Sequence, residues 1–236
     1  DAYMAADEYA AAFAERQAGA GFMKNMLRQR LCSSYEAGMR TARKLLRGDP
    51  EPDVDPESEE SEFNPDITDR ERRALEQMLE YMAETREDPK RQVVQHYLSD
   101  EGKGWLRRYG CICFSQFYDT AEFHARNLAE KFPNHAVALY AGAGRSRMYQ
   151  FGKTVHADRE QIKKNVAEGL VHLVIATDAA AEGLNLQALG SLINIDLPWN
   201  PSRLEQRIGR IKRFGQRRHN VYMLNLVYRG KVDERV

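Results

Sequence analysis

The sequence predicts an α/β fold in which helices cover both faces of a mainly parallel sheet, and a helical region precedes this domain. From about residue 108 onward, short runs of β-branched and apolar residues alternate with stretches that carry apolar residues at helical spacing. One run, VHLVIAT at residues 171–177, is apolar without alternation, which is typical of a strand buried on both faces of a sheet. Strands that alternate with amphipathic helices indicate βαβ units and a three-layer architecture.

Five strands and three helices are predicted in this α/β domain, residues 108–236. The strands are GCICFS, HAVALY, VHLVIAT, SLINID and VYMLNLV, and the helices are DTAEFHARNLAEKF, DREQIKKNVAEG and PSRLEQRIGRIKRF. In an open parallel sheet, ligands bind at the carboxyl ends of the strands. The first candidates for site residues are therefore the polar side chains that follow the strands, namely Ser115, Gln116, Tyr140, Thr177, Asp178 and Asp196.

Three further regions precede the domain. Residues 1–48 are predicted to be helical, because an alanine-rich start is followed by apolar residues at helical intervals until Gly48 and Pro50 end the pattern. Residues 49–66 are acidic and punctuated by proline, so they cannot build a core and are predicted to be a flexible linker.

Residues 67–107 are predicted to form a helical segment that leads into the domain. Thr68 and Glu71 have the spacing of a capping box, which predicts the start of a helix. Pro89 lies near the first turn of another predicted helix, where proline is well tolerated.

The composition limits the possible environments and cofactors. The 236 residues carry a formal net charge of zero, and their 42% apolar and 30% charged content is ordinary for a globular protein. No apolar run approaches the roughly 20 residues that span a bilayer, so no membrane partner is expected. Three cysteines without a CxxC pair, and six histidines without ligand spacing, argue against a metal site and favour a reducing cytoplasm.

Two fragments that resemble phosphate or metal motifs are rejected. FGKT at residues 151–154 resembles the end of a P-loop, but the glycine that the motif requires at position 147 is an arginine. The pair Asp7 and Glu8 lies inside an alanine-rich helix, not at a strand end where an acidic magnesium motif would be expected. The chain therefore has no recognisable way to cradle a triphosphate by itself.

The stretch EQRIGRIKRFGQRR, residues 205–218, concentrates positive charge in a chain that is neutral overall. In a helix, its arginines and one just upstream would lie three or four residues apart and line one face. These arginines are Arg203, Arg207, Arg210, Arg213 and Arg217. Like charges on one face repel unless an anion lies opposite, so a phosphate-binding face and a solvated basic helix both remain open.

The order of three motifs resembles a known family. A strand that ends in FSQF, a strand that ends in ATDAAAEGLNLQ and the segment INIDLPWNPSRLEQRIGRIKRFGQ follow one another as in the C-terminal RecA-like lobe of superfamily-2 helicase-type ATPases. DLPWNP and FGQ resemble the Swi/Snf-type DNA translocases, especially their bacterial RapA-like branch. The resemblance is strong over residues 110–230 and loose over residues 22–100.

The resemblance implies roles for residues of these motifs. In this family ATP lies between two RecA-like lobes, and Arg210 and Arg213 match the arginine fingers that the second lobe offers to the phosphates. The positions that match nucleotide-binding residues are Gln206, Asp178, Gly183 and Asn185, and those that match nucleic-acid contacts are Ser115, Gln116 and Thr177.

The chain departs from the family between ALYAG and DREQIKKNVAEG. The family has a short turn there, whereas this chain inserts AGRSRMYQFGKTVHA, which is basic and carries aromatic residues. One interpretation is a hairpin in which Arg145 and Arg147 bind DNA phosphates, with Tyr149 or Phe151 near a base or sugar. The other is a subfamily loop without a direct role.

The resemblance implies the C-terminal motor lobe of an ATP-dependent DNA translocase or helicase. Since no P-loop and no acidic magnesium motif is present, the chain is expected to be a fragment that does not hydrolyse ATP alone, with ATP and Mg²⁺ bound mainly by the other lobe. Expected partners are double-stranded DNA and the N-terminal RecA-like lobe of the same polypeptide, in the bacterial cytoplasm at the nucleoid. The alternatives are a non-catalytic nucleic-acid-binding or adaptor module, and an RNA helicase lobe, which WNP and FGQ disfavour.

Overall fold

The structure is a computed structural model that describes residues 1–15, 20–48, 66–85, 87–142, 144–180, 186–216 and 218–231. The described residues form two compact units, one of Asp1–Asp88 with residues 228–231 and one of Pro89–Val227. The helices are α1 (Ala2–Ala14), α2 (Ala20–Ser33), α3 (Tyr35–Arg47), α4 (Asp69–Glu84), α5 (Pro89–Leu98), α6 (Trp105–Tyr109), α7 (Tyr118–Lys131), α8 (Arg159–Ala167) and α9 (Pro201–Ile211). The strands are β1 (Cys111–Ser115), β2 (Val137–Tyr140), β3 (Arg147–Gln150), β4 (Lys153–His156), β5 (Leu173–Thr177), β6 (Ser191–Asn194) and β7 (Tyr222–Asn225).

In the first unit, α1 to α4 bury one apolar core that includes Tyr9, Leu27 and Leu75. The predicted capping box is confirmed, because the backbone N–H of Thr68 donates to Glu71 Oε2 at 2.8 Å and that of Glu71 donates to Thr68 Oγ1 at 3.2 Å. None of the helices in the described ranges is long and apolar enough to cross a membrane.

The helical pattern between residues 22 and 46 is interrupted, which the periodicity does not predict. Ser34 is extended, with φ −156° and ψ 155°, and its Oγ accepts a hydrogen bond from the Ala37 N–H at 3.1 Å. The serine therefore ends α2 and caps α3, as a short hydroxyl side chain favours at a helix start. Gly48 ends α3 in the left-handed conformation, with φ 73°, as predicted.

The second unit is a three-layer domain around a seven-stranded sheet of order β4-β3-β2-β5-β1-β6-β7. The five predicted strands are confirmed as β1, β2, β5, β6 and β7, and they pair in parallel. Side chains of β1 alternate between two cores: Cys113 packs with α7, and Phe114 packs with α8 and α9. Burial on both faces explains why these strands are apolar without alternation.

Helices α5 and α6 belong to this domain. Val94, Leu98 and Leu106 lie in the same apolar core as β1 and α7, so the compact unit begins at Pro89, ahead of the expected residue 108. The sequence change near residue 108 marks the first strand, whereas two helices that cover the sheet precede it.

The inserted segment forms a hairpin of β3 and β4 at one edge of the sheet. β3 is antiparallel to β2, with Arg147 opposite Leu139 and Tyr149 opposite Val137. The start of β3 therefore lies at the carboxyl ends of the parallel strands, and the hairpin tip lies beyond their amino ends. FGKT forms this tip and the first residues of β4, so it is not a P-loop.

Candidate nucleotide and nucleic-acid site

The polar residues that follow three parallel strands meet where these strands end. This end of the sheet is here called the carboxyl edge. β1 lies between β5 and β6, with Ser115 opposite Thr177 and Phe114 opposite Asn194. Helix α9 starts shortly after β6, where Asn200 Oδ1 accepts from the Ser202 N–H at 2.9 Å and proline occupies the first turn. The sequence thus brings the arginine helix to the carboxyl edge.

Arg207, in the middle of α9, is a buried structural link, with 1% of its surface exposed. Its Nε and Nη2 donate to the two carboxylate oxygens of Asp178 at 2.6 and 2.7 Å. Its Nη1 donates to Asn194 Oδ1 at 3.0 Å and to the Asp196 carbonyl at 2.7 Å. These bonds occupy most of the five guanidinium donors, so Arg207 joins the ends of β5 and β6 and is not available to a phosphate.

Asp196 joins the end of β1 to the same cluster. Its Oδ2 accepts from Ser115 Oγ at 2.5 Å, and its Oδ1 accepts from the Gln116 N–H at 2.8 Å. Gln116 Nε2 also donates to the Leu197 carbonyl at 3.0 Å. Ser115 is fully buried, so its hydroxyl positions the strand end, and a direct contact to nucleic acid would require a change of conformation.

Two carboxylates therefore face one guanidinium in a buried place, since Asp196 Oδ1 lies 3.5 Å from Arg207 Nη2. Burial raises the pKa of Asp178 above its ordinary value of 3.8, and the charge of Asp196 raises it further, against the lowering effect of Arg207. The net shift of the pKa is upward because burial disfavours the charged carboxylate by more than the guanidinium groups of Arg207 and Arg203 favour it. The predicted nucleotide contact of Asp178 stays a prediction, and so does the predicted nucleic-acid contact of Thr177, which is buried.

Arg210 and Arg213 have different surroundings from Arg207. Arg210 is half-buried, and its Nε is buried without a hydrogen-bond partner among the residues that the structure describes. Arg213 is exposed, and it lies in a turn because α9 ends at Ile211. The expectation that Arg210 and Arg213 share one helical face is therefore corrected, although both remain at the same end of α9. Gln206 is exposed on α9.

The basic residues of the hairpin separate into two groups. Arg145 lies over the Tyr118 ring, 4.2 Å from its centroid, and Arg147 Nη1 donates to the carbonyls of Gly144 and Ser146 at 3.1 and 2.8 Å. Both arginines are at the carboxyl edge. Tyr149 is buried in the core and Phe151 lies at the opposite end of the hairpin, so neither ring is placed beside these two arginines to contact a base or sugar.

Two predicted nucleotide-binding residues, Gly183 and Asn185, lie outside the described residues. The structural role of Arg207 is not among the sequence predictions, although the sequence contains a signal for it. Arg207 precedes Ile211 by four residues, and those two are the buried positions of α9, so Arg207 lies on the apolar face.

A three-layer RecA-like lobe with an arginine helix at its carboxyl edge defines the class of helicase C-terminal lobes. The family model described as "Helicase conserved C-terminal domain" matches residues 90–215, which is more than half of the chain. The chain belongs to this family.

Named relatives agree with this assignment. The "Uncharacterized ATP-dependent helicase YqhH" of Bacillus subtilis (strain 168) is 49% identical over 73 residues, which are 31% of this chain and 13% of that protein. The "RNA polymerase-associated protein RapA" of Vibrio campbellii is 47% identical over 51 residues, 22% of this chain and 5% of RapA. Proteins named as ATP-dependent RNA helicases also match. The matched regions are thus a small part of each curated relative.

A solved structure shares the fold. The C-terminal part of the Fun30 ATPase domain has a TM-score of 0.50 and 13% identity, and the match covers 100% of this chain and 63% of that chain. The resemblance to the C-terminal lobe of superfamily-2 helicases of Swi/Snf-like, RapA-like type is confirmed.

Proposed function

We propose that this chain is the C-terminal motor lobe of an ATP-dependent DNA translocase or helicase. It supplies Arg210 and Arg213 to the phosphates of ATP and contacts to a nucleic-acid backbone. Its N-terminal RecA-like lobe and double-stranded DNA are the proposed partners, in the bacterial cytoplasm at the nucleoid. The chain does not hydrolyse ATP by itself, because the P-loop belongs to the other lobe.

The division of roles among the arginines of α9 carries this proposal. The guanidinium of Arg207 donates to the carboxylate of Asp178, whereas Arg210 has a buried Nε that lacks a partner among the described residues. An unsatisfied buried donor costs about 1–3 kcal/mol, and an anion that enters the site removes that penalty. A guanidinium stays charged at all physiological pH values and matches the oxygens of a phosphoryl group. Arg210 is therefore suited to bind a phosphate group.

The residues present fit ATP phosphates but not the metal. Two guanidinium groups suit the negative charge that develops on the γ-phosphoryl oxygens during transfer. Within the described ranges, no group of three or more His, Cys, Asp or Glu side chains is placed to hold a metal ion. Mg²⁺ would therefore be bound by the N-terminal lobe, on the other side of the ATP.

The nucleic-acid surface is proposed to be the same carboxyl edge. Arg145 and Arg147 lie there with the ends of the parallel strands, and cations at such an edge bind phosphates without regard to sequence. DNA is favoured over RNA by the WNP and FGQ segments. An RNA substrate would instead make binding depend on ribose 2′-hydroxyls, so a chimeric duplex distinguishes the two.

The decisive experiment measures ATP hydrolysis by this chain alone and by this chain mixed with its N-terminal lobe, each with and without duplex DNA. Activity is expected only in the reconstituted sample that contains DNA. Arg210→Ala should lower kcat by about 10³-fold or more, in the range measured for arginine fingers. Lys212→Ala is the matched control, because it removes an exposed cation two residues away and should leave the rate within a few-fold.

An inert reconstituted sample, with both lobes folded and associated, would remove the main support for a motor. Phosphate binding to the arginine helix would then favour the adaptor module. Equal losses in Arg210→Ala and Lys212→Ala would show that overall charge matters and that Arg210 is not a finger.

A further inference from the structure

The turn that carries Arg213 has little apolar packing to hold it. Residues 212–216, here called the arginine loop, follow α9, and the Phe214 side chain is 100% exposed. Lys212, Arg213 and Gly215 are exposed as well. A surface segment without buried apolar contacts opens at a low free energy, so its hydrogen bonds determine where Arg213 lies.

A rigid support lies beside this loop. Residues 186–190, here called the strand connection, lead to β6, and both Leu186 and Leu189 are fully buried in the core that covers one face of the sheet. The Leu186 N–H donates to the Arg210 carbonyl at 3.3 Å. Packing therefore fixes the strand connection. The position of the arginine loop depends on the hydrogen bonds that attach this loop to the strand connection.

Gln216 makes one attachment. Its Nε2 donates to the Ile211 carbonyl at 2.8 Å, at the end of α9, and to the Leu189 carbonyl at 3.0 Å, in the strand connection. Its Oε1 accepts from the Arg218 N–H at 3.1 Å. The side-chain amide of Gln216 must point its NH₂ group toward these two carbonyls, because its oxygen would be repelled by the carbonyl oxygens.

Gln187 makes the reciprocal attachment. It belongs to the strand connection, and its Nε2 donates to the Phe214 carbonyl of the arginine loop at 3.1 Å. Gln187 is also the last residue of ATDAAAEGLNLQ, the motif whose family counterpart joins the nucleotide cleft to the nucleic-acid groove. One glutamine from each segment thus binds the backbone of the other.

We propose that Gln187 and Gln216 are positioning residues that hold the arginine loop on the strand connection, so that Arg213 is placed for the phosphates of ATP. The inference rests on the proposed function, since it requires Arg213 to act as a finger. The contact needs an N–H donor at each position. Substitution by methionine keeps the length and removes the donor, and lysine keeps a donor on a side chain of similar reach.

The test uses the reconstituted two-lobe ATPase with duplex DNA. Gln216→Met should lower kcat by about 10–100-fold, as expected for a displacement of roughly 1 Å in a catalytic group. KM for ATP should change little, because a finger acts mainly in the transition state. Gln187→Met should act in the same direction, and Gln187→Lys should retain most of the rate.

A double-mutant cycle separates positioning from a general structural role. Single-turnover hydrolysis is measured for Arg213→Ala and for Arg213→Ala combined with Gln216→Met. If Gln216 acts through Arg213, the second substitution adds no further loss once Arg213 is absent. If the losses of the two substitutions multiply, the inference is wrong. Thermal melting identifies a variant that fails to fold. If Gln216→Met fails to fold, the comparison of Gln187→Met with Gln187→Lys decides.

The outcomes also separate this inference from the proposed function. If Arg213→Ala is impaired while Gln216→Met and Gln187→Met hydrolyse ATP at the normal rate, the positioning role is wrong and the finger remains. If Arg213→Ala hydrolyses ATP normally, the finger assignment of Arg213 fails, and the positioning role fails with it.

Discussion

Arg207 and Arg210 are three residues apart on one helix and have different surroundings. The guanidinium of Arg207 is enclosed by Asp178, Asn194 and Asp196, and it holds the ends of two strands together. Arg210 keeps a buried donor without a partner among the described residues. Both are arginines in the same basic stretch, so residue type and charge alone do not separate a structural arginine from one that is proposed to bind a phosphate.

Substitution of each arginine by methionine should therefore have different effects on stability. Arg207→Met leaves two buried carboxylates without their cation, and removal of one partner of a buried ion pair lowers the free energy of unfolding by about 3–5 kcal/mol. Arg210→Met removes a buried donor that has no partner among the described residues, so the free energy of unfolding should not fall and should rise by up to about 1–3 kcal/mol. Urea unfolding of both variants measures the difference, and similar losses would contradict the structural role of Arg207.

At the scale of elements, the sequence predicts the strands and helices that are marked by a pattern of apolar residues or by a local capping motif. The five parallel strands are recognisable because they are rich in apolar residues, and the capping box at Thr68 is local chemistry. β4 is not predictable in this way, since all four of its residues are exposed and no apolar pattern marks an edge strand. The break at Ser34 is equally hidden, because the helical spacing continues across it.

The hairpin tip contains a local strain that can be tested. Phe151 and Gly152 both have positive φ, at 50° and 72°, as a two-residue turn of this kind requires. Phe151 is 72% exposed, so it gains little burial in return for a conformation that costs a bulky residue about 1–2 kcal/mol. Phe151→Asn should raise the free energy of unfolding by about 1 kcal/mol, since asparagine tolerates this conformation.

Gly152→Ala is the matched control for that turn. The new methyl group meets no neighbour within 4 Å, so any loss of stability comes from the left-handed backbone alone. Chemical unfolding should show a gain for Phe151→Asn and a loss for Gly152→Ala. A loss for Phe151→Asn would mean that the aromatic side chain contributes packing that outweighs the strain.

At the scale of the whole domain, topology explains why the site is partly predictable. A parallel sheet places every strand's carboxyl end at one edge, so the sequence alone groups Ser115, Thr177, Asp178 and Asp196. Their mutual contacts do not follow from the sequence. Ser115 and Asp196 are 81 residues apart in the chain, and their hydrogen bond depends on the order of strands across the sheet.

The same topology gives the hairpin two ends with different expected effects on DNA binding. Arg147 lies at the carboxyl edge, whereas Lys153 starts β4 beside the tip, at the opposite edge. Arg147→Ala should weaken duplex binding for all sequences and reduce the slope of log affinity against log salt by about 1, as for the loss of one phosphate contact. Lys153→Ala removes the same charge from the same hairpin and should leave both quantities unchanged. Affinities measured from low to moderate salt distinguish the two. Equal losses would mean that DNA contacts the whole hairpin and not only its end at the carboxyl edge.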